Sequence, residues 1–321
     1  MIEHDIAVRP GQLVAIEKRP ALSRIVYRWP DVEVIQTPGG GDGAAGSQQG
    51  DRPSLVFGEW VNCVPSEIEA LIVPFSNCQV AKMEDKMQVI DYHVHLTGVF
   101  TIDHAVDLAQ RRNVRFGIVE HPGPNHWIRT DEDLQRYIND LGQYPVYVGL
   151  QPTYLGWSAG FSDDLIKQLD YVLMDADIVP LGDGHYLEIW RHDQFIEDMD
   201  AFVELYMSYI MQILTSEPIH IFGRPTFLPI NFARHYDEVW TKERMMCIID
   251  AARERNIALE IQENIRIPTP EFVALAKKAG IKFTFGTNAR NDNAGRFKYC
   301  LDVARECGLT EDDMFTIDHK E

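Results

Sequence analysis

The chain has 321 residues, 45% hydrophobic and 25% charged, which suits one large α/β domain with an appendage or two modest domains. Its net charge of −19 at pH 7 argues against nucleic acid or an anionic membrane surface as the main partner, because both would repel it at long range. No apolar run is long enough for a membrane helix, no signal peptide is visible, and none of the five cysteines forms a CxxC pair. We therefore expect a reduced, cytoplasmic protein.

Residues 1–87 are predicted to form a small β-rich appendage. Residues 36–53 are rich in Gly, Ala, Ser and Gln and lack apolar periodicity, which predicts a flexible loop or linker. On either side of this loop, short apolar runs predict strands at 22–29, 32–35, 54–58 and 70–74.

Residues 88–321 alternate between strand and helix patterns. The predicted strands are 88–94, 114–119, 145–150, 171–174, 219–222, 257–261 and 281–285. The predicted helices are 101–112, 130–141, 162–169, 194–215, 238–255, 270–279 and 293–307. Seven such units predict a parallel sheet closed, or nearly closed, into an α/β barrel of the TIM type, with its chemistry at the C-terminal ends of the strands.

The first of these strands ends in two histidines, His93 and His95, at i, i+2 spacing. Side chains alternate along a strand, so both imidazoles should point to one face, where they could ligate one metal ion. The alternative is that both are satisfied by hydrogen bonds. Asp91 precedes them and is expected to orient one imidazole through its second nitrogen.

Other polar residues at strand ends are candidates for acid–base chemistry. His121 ends the second strand and is the preferred general base or ligand, because histidine titrates near neutral pH. Glu260 could act as general base if the site holds no metal. His126 is expected at the surface, and His185 and His192 lie in a predicted loop that could overhang the barrel mouth.

These segments together resemble the polymerase and histidinol phosphatase (PHP) family, particularly its histidinol-phosphatase branch. The resemblance covers about residues 88–317 and rests on the HxH strand, the order of the later segments, and the motifs within 202–225 and 258–290. It implies a distorted (β/α)7 barrel. Members of the family usually bind two or three metal ions and hydrolyse phosphoesters.

The chain departs from the family at its usual metal ligands. A bridging glutamate, two histidines and an Asp-Ala-His motif are replaced by Gln151, Asp177, Arg224 and Asn288-Ala289-Arg290. An amide does not supply the bridging anion, and a guanidinium has no lone pair to give to a metal. The resemblance therefore implies a degenerate centre.

Two forms of this centre remain open. In one, His93 and His95 hold a single zinc, manganese or iron ion, completed by Gln151, Asn288 or water. In the other there is no metal, and arginines line an anion pocket. Salt bridges from the arginines to Asp177 or Glu263 are an alternative to anion binding.

We accordingly expect a hydrolase that has at most one metal ion and acts on a small anionic substrate such as a phosphoester. The residues expected to bind substrate are Arg224, Arg290, Asn288, Gln151 and Asp177. A non-catalytic PHP-like protein that binds a ligand or partner is an alternative, and so is a metal-free enzyme of another class, either a non-phosphate ester hydrolase or a lyase. A homo-oligomer is possible.

Overall fold

The computed structural model describes residues 27–29, 32–34, 89–182, 184–194 and 196–317. In the first two ranges, strand β1 (Tyr27–Trp29) pairs in antiparallel fashion with β2 (Val32–Val34). The rest of the predicted appendage, including the loop at 36–53, lies outside the described residues.

Seven parallel strands close into a barrel, as the alternating pattern predicts. Each barrel strand pairs with the next one along the chain, and the last pairs with the first through Phe285 and Asp91. The barrel strands are β3 (Ile90–Val94), β4 (Arg115–Ile118), β5 (Tyr147–Leu150), β6 (Tyr171–Met174), β9 (Ile221–Phe222), β10 (Ala258–Gln262) and β11 (Phe283–Gly286).

Helices follow the barrel strands along the chain. They are α1 (Ile102–Arg112), α2 (Asp131–Leu141), α3 (Asp163–Ile166), α4 (Met199–Ser216), α5 (Tyr236–Val239), α6 (Lys242–Glu254), α7 (Pro270–Lys278) and α8 (Tyr299–Glu306). In α2 the buried residues Leu134, Tyr137 and Leu141 recur every three or four positions, which gives this helix one apolar face. No helix in the described part of the chain is long and apolar enough to cross a membrane.

Residue-level signals explain where several helices begin. Thr130 and Asp133 form a capping box at the start of α2. Pro270 is the first residue of α7, where its missing N–H costs no helical hydrogen bond. The carboxylate of Glu263 accepts the backbone N–H groups of Tyr299 and Cys300 and so caps α8.

A β-hairpin lies in the segment that the sequence predicts as a loop. Strand β7 (Ile178–Gly182) pairs in antiparallel fashion with β8 (His185–Glu188), and Val179 and Leu187 are buried opposite each other. Gly182 and Gly184 both have positive φ, which suits glycine at the turn. The loop prediction is therefore wrong for this segment.

Tyr92, Tyr147 and Tyr171 belong to one buried apolar cluster. The Tyr171 ring lies against two glycines, so that a Cβ atom added at Gly117 would lie 2.3 Å from the Tyr171 hydroxyl oxygen, and one added at Gly149 would lie 2.4 Å from its Cζ. The same hydroxyl donates to the Tyr92 carbonyl at 2.7 Å.

Candidate functional site

The end of β3 brings His93 and His95 to the same side of the strand. The register between β3 and β4 shifts between Asp91 and Val94, so the strand is irregular at this point. Tyr92 belongs to the apolar cluster inside the barrel, whereas Val94 packs into the core outside it. The two imidazole rings lie with their centroids 5.3 Å apart, in line with the predicted shared face.

Both ring nitrogens of His93 face oxygen atoms of other side chains. Its Nδ1 lies 2.7 Å from Glu260 Oε1, and its Nε2 lies 3.2 Å from Gln151 Oε1. The Gln151 amide nitrogen in turn donates to Asp175 Oδ2 at 2.7 Å. His93 is thus held inside a hydrogen-bonded chain and has no nitrogen free for a metal ion.

Asp91 does not orient an imidazole, contrary to the expectation from sequence. Its carboxylate accepts the Thr287 hydroxyl at 2.6 Å, the Gly295 backbone N–H at 2.7 Å and the Thr287 N–H at 3.0 Å. It also accepts the N–H of His93, two residues along its own strand. Burial raises the pKa of Asp91 to about 6, opposed by these hydrogen bonds. Asp91 therefore ties β3 to the loop after β11, and Glu260 takes the role expected of it.

Arg224 is engaged by the protein itself. Its guanidinium forms an ion pair with Asp177, and the two side chains are only 12% and 7% exposed. Its backbone N–H donates to Glu260 Oε2 at 3.0 Å. These contacts support the salt-bridge alternative, with Asp177 as the partner. The predicted contact of Arg224 and Asp177 with substrate stays a prediction.

The electrostatics around Arg224 are dominated by burial and by three carboxylates. Burial raises the pKa of Asp177 well above its usual value, with Asp175 and Glu260 adding to the rise and Arg224 opposing it. Burial works against the charge of Arg224, but Asp177, Asp175 and Glu260 outweigh it and raise the arginine's pKa. Arg224 therefore stays charged.

Arg290 differs from Arg224 in its exposure and in its partners. Its side chain is exposed, and it donates to Asn288 Oδ1 at 3.0 Å. Among the described residues no carboxylate forms an ion pair with it. Desolvation and the positive charge of Arg224 both lower its pKa. Arg290 is thus the predicted arginine that remains able to bind an anion.

A row of histidines leads outward from His95. The centroids of the His95 and His121 rings lie 5.1 Å apart, and those of His121 and His126 lie 5.3 Å apart. His121 Nδ1 lies 2.9 Å from the Gln151 carbonyl oxygen, so this nitrogen carries the proton and Nε2 the lone pair when the ring is neutral. His95 Nε2 is buried, and no hydrogen-bond partner for it lies among the residues that the structure describes.

Burial keeps two histidines of this row neutral. It lowers the pKa of His121 to about 4 and that of His95 well below its usual value, and Arg290 adds to the effect on His95. His126, expected at the surface, is half-buried beside His121, and no sequence pattern signals this contact. His185 and His192 are exposed, and their predicted contact with substrate stays a prediction.

The residues at the barrel mouth do not fit a metal centre. Across 89–182, 184–194 and 196–317, no group of three or more His, Cys, Asp or Glu side chains is arranged to hold a metal ion. Of the predicted ligand pair, His93 is fully engaged, and only His95 has a nitrogen without a partner. The guanidinium of Arg224 would also repel a dication beside Asp177.

Comparison with known proteins adds no assignment. No family model and no curated protein matches this chain. Among solved structures, it is similar to a chain in the cryo-EM structure of archaeal ribonuclease P with mature tRNA, at 10% identity and a TM-score of 0.36, over 72% of this chain and 99% of that one. Similarity at this level supports no argument about fold or function.

Proposed function

We propose that this protein is a hydrolase of small anionic substrates, phosphoesters first, acting at the mouth of a PHP-like barrel. The observation that carries the proposal is the pairing of His95 and His121, two neutral imidazoles with adjacent rings, one oriented by a backbone carbonyl. Arg290 lies close enough to His95 to lower its pKa. The site thus combines a guanidinium that forms no ion pair with a carboxylate of the described residues and an oriented proton acceptor.

Each of these groups has a defined role in the proposed reaction. Arg290 binds the anion through charge-assisted hydrogen bonds. The negative charge of the substrate then raises the pKa of His121 towards neutrality, where a general base works best. His121 Nε2 takes a proton from water as the water oxygen attacks phosphorus and the ester P–O bond breaks. The leaving alkoxide takes up a proton from solvent, and His121 returns its proton to solvent, so that the protons balance.

Three residues predicted to contact substrate or act as base become positioning residues in this proposal. Glu260 uses one oxygen on His93 and the other on the Arg224 backbone, so it is not the general base. Gln151 holds His121 through its carbonyl and His93 through its side chain. Asp177 holds Arg224. Asn288 remains beside the substrate through its contact with Arg290.

Membership of the PHP family is supported by the closed parallel barrel of seven strands and by the HxH motif at the end of its first strand. We assign no step to a metal ion, because the donor set does not fit one. The alternative with one zinc, manganese or iron ion would have to use His95 without His93. A metal-free enzyme that cleaves a non-phosphate ester, or a lyase, would use the same mouth.

A non-catalytic anion-binding protein is the second candidate. The observation that favours it is that the His93–Glu260 and Arg224–Asp177 contacts satisfy most of the charged groups inside the barrel. In that case Arg290 binds a ligand, and no bond is broken.

Activity screening with matched variants tests the proposal. Wild-type protein is assayed against phosphomonoesters, phosphodiesters and carboxylic esters, with chelator and then with added manganese or zinc. His121→Gln should lower turnover by roughly 10²-fold or more, the scale of a positioned proton-transfer group. Arg290→Gln should mainly raise KM, whereas Arg266→Gln, at an exposed arginine, is the control.

The outcomes separate the candidates. Full activity in His121→Gln would contradict the proposed mechanism. If no substrate turns over, phosphate should still raise the melting temperature of wild type and Arg266→Gln but not of Arg290→Gln, which would identify an anion-binding protein. Turnover of carboxylic esters alone would point to the non-phosphate esterase.

A further inference from the structure

The exposed apolar side chains of the barrel lie on the face that carries the candidate site. Among the residues that the structure describes, four large hydrophobic side chains are exposed: Val99, Trp127, Tyr186 and Trp190. Each lies in a segment that follows a barrel strand, after β3, β4 or β6. In a barrel of parallel strands these segments share one face. Exposed apolar groups gathered on one face indicate a surface that binds a ligand or partner.

Two of these side chains, Tyr186 and Trp190, belong to the β7–β8 hairpin and the residues directly after it. Val179 and Leu187 face the core from one side of the hairpin. Tyr186 alternates with Leu187 along β8, so its ring projects from the other side and is 54% exposed. Trp190 is 41% exposed next to the buried Ile189. The hairpin therefore presents two aromatic rings to solvent.

The base of the hairpin is fixed beside the arginines of the barrel mouth. The Ile189 N–H donates to the Asp177 carbonyl oxygen at 2.9 Å, and the Asp177 carboxylate pairs with Arg224. Desolvation lowers the pKa of Arg290, and the nearby charge of Arg224 adds to the effect. The hairpin is therefore anchored at the ion pair that neighbours Arg290, with Trp190 one residue beyond the anchor.

The geometry of the proposed reaction directs the alcohol of the substrate towards the hairpin. The attacking water and the leaving alcohol lie on opposite sides of the phosphorus atom. His121, which takes the proton from the water, follows β4, whereas the hairpin follows β6, two strands further around the barrel. The alcohol of a phosphoester held by Arg290 should therefore extend away from His121, to the side of Tyr186 and Trp190.

We infer that the substrate is a phosphoester of an apolar alcohol that carries an aromatic ring, and that Tyr186 and Trp190 bind this alcohol. The inference rests on the proposed function and names its substrate class. Ligand sites combine apolar and aromatic walls with a few polar groups that fix orientation, here Arg290 and His121. The net charge of −19 argues against an anionic membrane as the occupant of this surface, because the two would repel each other.

Two phosphoesters with similar leaving groups test the inference. Wild-type protein should hydrolyse 2-phenylethyl phosphate with a kcat/KM about 10-fold or more above that for ethyl phosphate, because the ring gains an apolar contact. Trp190→Ala and Tyr186→Ala should each reduce this ratio by raising KM for 2-phenylethyl phosphate. An equal kcat/KM for the two esters in the wild type, or an unchanged ratio in both variants, would overturn the inference.

Trp127→Ala is the matched control for Trp190→Ala. Trp127 is 43% exposed and lies on the same face of the barrel, but its ring packs edge-on against Tyr137 and lies near the Arg136 guanidinium. The ratio should therefore keep its wild-type value in Trp127→Ala. A reduction as large as that in Trp190→Ala would contradict the assignment to the hairpin.

Phosphonates, which cannot be hydrolysed as esters, separate this inference from the proposed function. If neither ester is hydrolysed, the proposed function is contradicted, and binding still tests the hairpin. Calorimetry should then show that 2-phenylethylphosphonate binds about 10-fold or more tightly than ethylphosphonate to the wild type and to Trp127→Ala. The difference should shrink in Trp190→Ala. Equal affinities in the wild type, or no binding of 2-phenylethylphosphonate, would overturn the inference.

Discussion

Gly286 has no side chain, and the Glu260 carboxylate that is hydrogen-bonded to His93 occupies the space beside it. Replacing Gly286 with alanine should therefore break that hydrogen bond. A Cβ atom built on Gly286 would lie 2.0 Å from Glu260 Oε1, the oxygen that bonds to His93 Nδ1, and 2.9 Å from His93 Cβ. Gly286 lies in β11 and does not have positive φ, so alanine is compatible with its backbone. The perturbation is therefore purely steric, and Glu260 has to move.

The size of the effect follows from the burial of this pair. Both side chains are fully buried, and losing a hydrogen bond to a charged group costs about 1.5–3 kcal/mol. Forcing an extra carbon into a packed interior costs about 1–3 kcal/mol more. Gly286→Ala should thus lower the free energy of unfolding by about 2.5–6 kcal/mol.

Gly223 provides a matched control on the other side of the same carboxylate. Its added Cβ would lie 3.1 Å from Leu173 Cδ2 and 3.3 Å from Glu260 Oε2, so shifts of a few tenths of an ångström suffice. Gly223→Ala should cost clearly less than Gly286→Ala. Urea unfolding measures the loss of stability in each of the two variants. Nitrogen NMR of the His93 ring reports whether the contact between its Nδ1 and Glu260 is lost. Wild-type stability together with an unchanged His93 signal in Gly286→Ala would refute the reasoning.

Two further predictions concern acid stability and helix capping. Burial lowers the pKa of His121 to about 4, whereas in the unfolded chain it titrates near 6.5, so the unfolded state binds more protons between these values. The free energy of unfolding should therefore fall by up to about 1.4 kcal/mol per pH unit as the pH drops from about 6.5 to about 4. Urea unfolding at several pH values measures this slope, and His121→Gln should reduce it. An unchanged slope in His121→Gln would exclude His121 as its source. Thr130→Ala removes the capping box of α2 and should cost about 1 kcal/mol in the same assay; no loss would mean that the cap is not stabilising.

The barrel could be predicted from the sequence because its signals are local. Each barrel strand is a short apolar run between helical patterns, and the seven observed strands fall within one or two residues of the predicted ranges. The hairpin of β7 and β8 was missed because Pro180, Gly182 and Gly184 interrupt its apolar pattern. Proline and glycine are equally typical of an irregular loop. Only the burial of Val179 opposite Leu187 distinguishes the hairpin from such a loop.

The partners within the site could not be predicted in the same way. Alternation along β3 gives the face of His93 and His95, but not what lies opposite them. Glu260, which holds His93, is 167 residues away in the chain, and Thr287, which holds Asp91, is 196 residues away. Such pairings depend on how the barrel closes, and no local pattern encodes them.

Arg224 and Arg290 differ in whether a nearby carboxylate pairs with the guanidinium. Arg224 and Arg290 follow β9 and β11, and each lies at or near a left-handed residue, Arg224 itself and Asn288. Asp177 binds the first guanidinium in a buried pair, whereas no described carboxylate pairs with the second. A buried pair is costly to break, because separating it leaves an unpaired charge away from water. An incoming anion would therefore find Arg290 available, and it would have to displace Asp177 to reach Arg224.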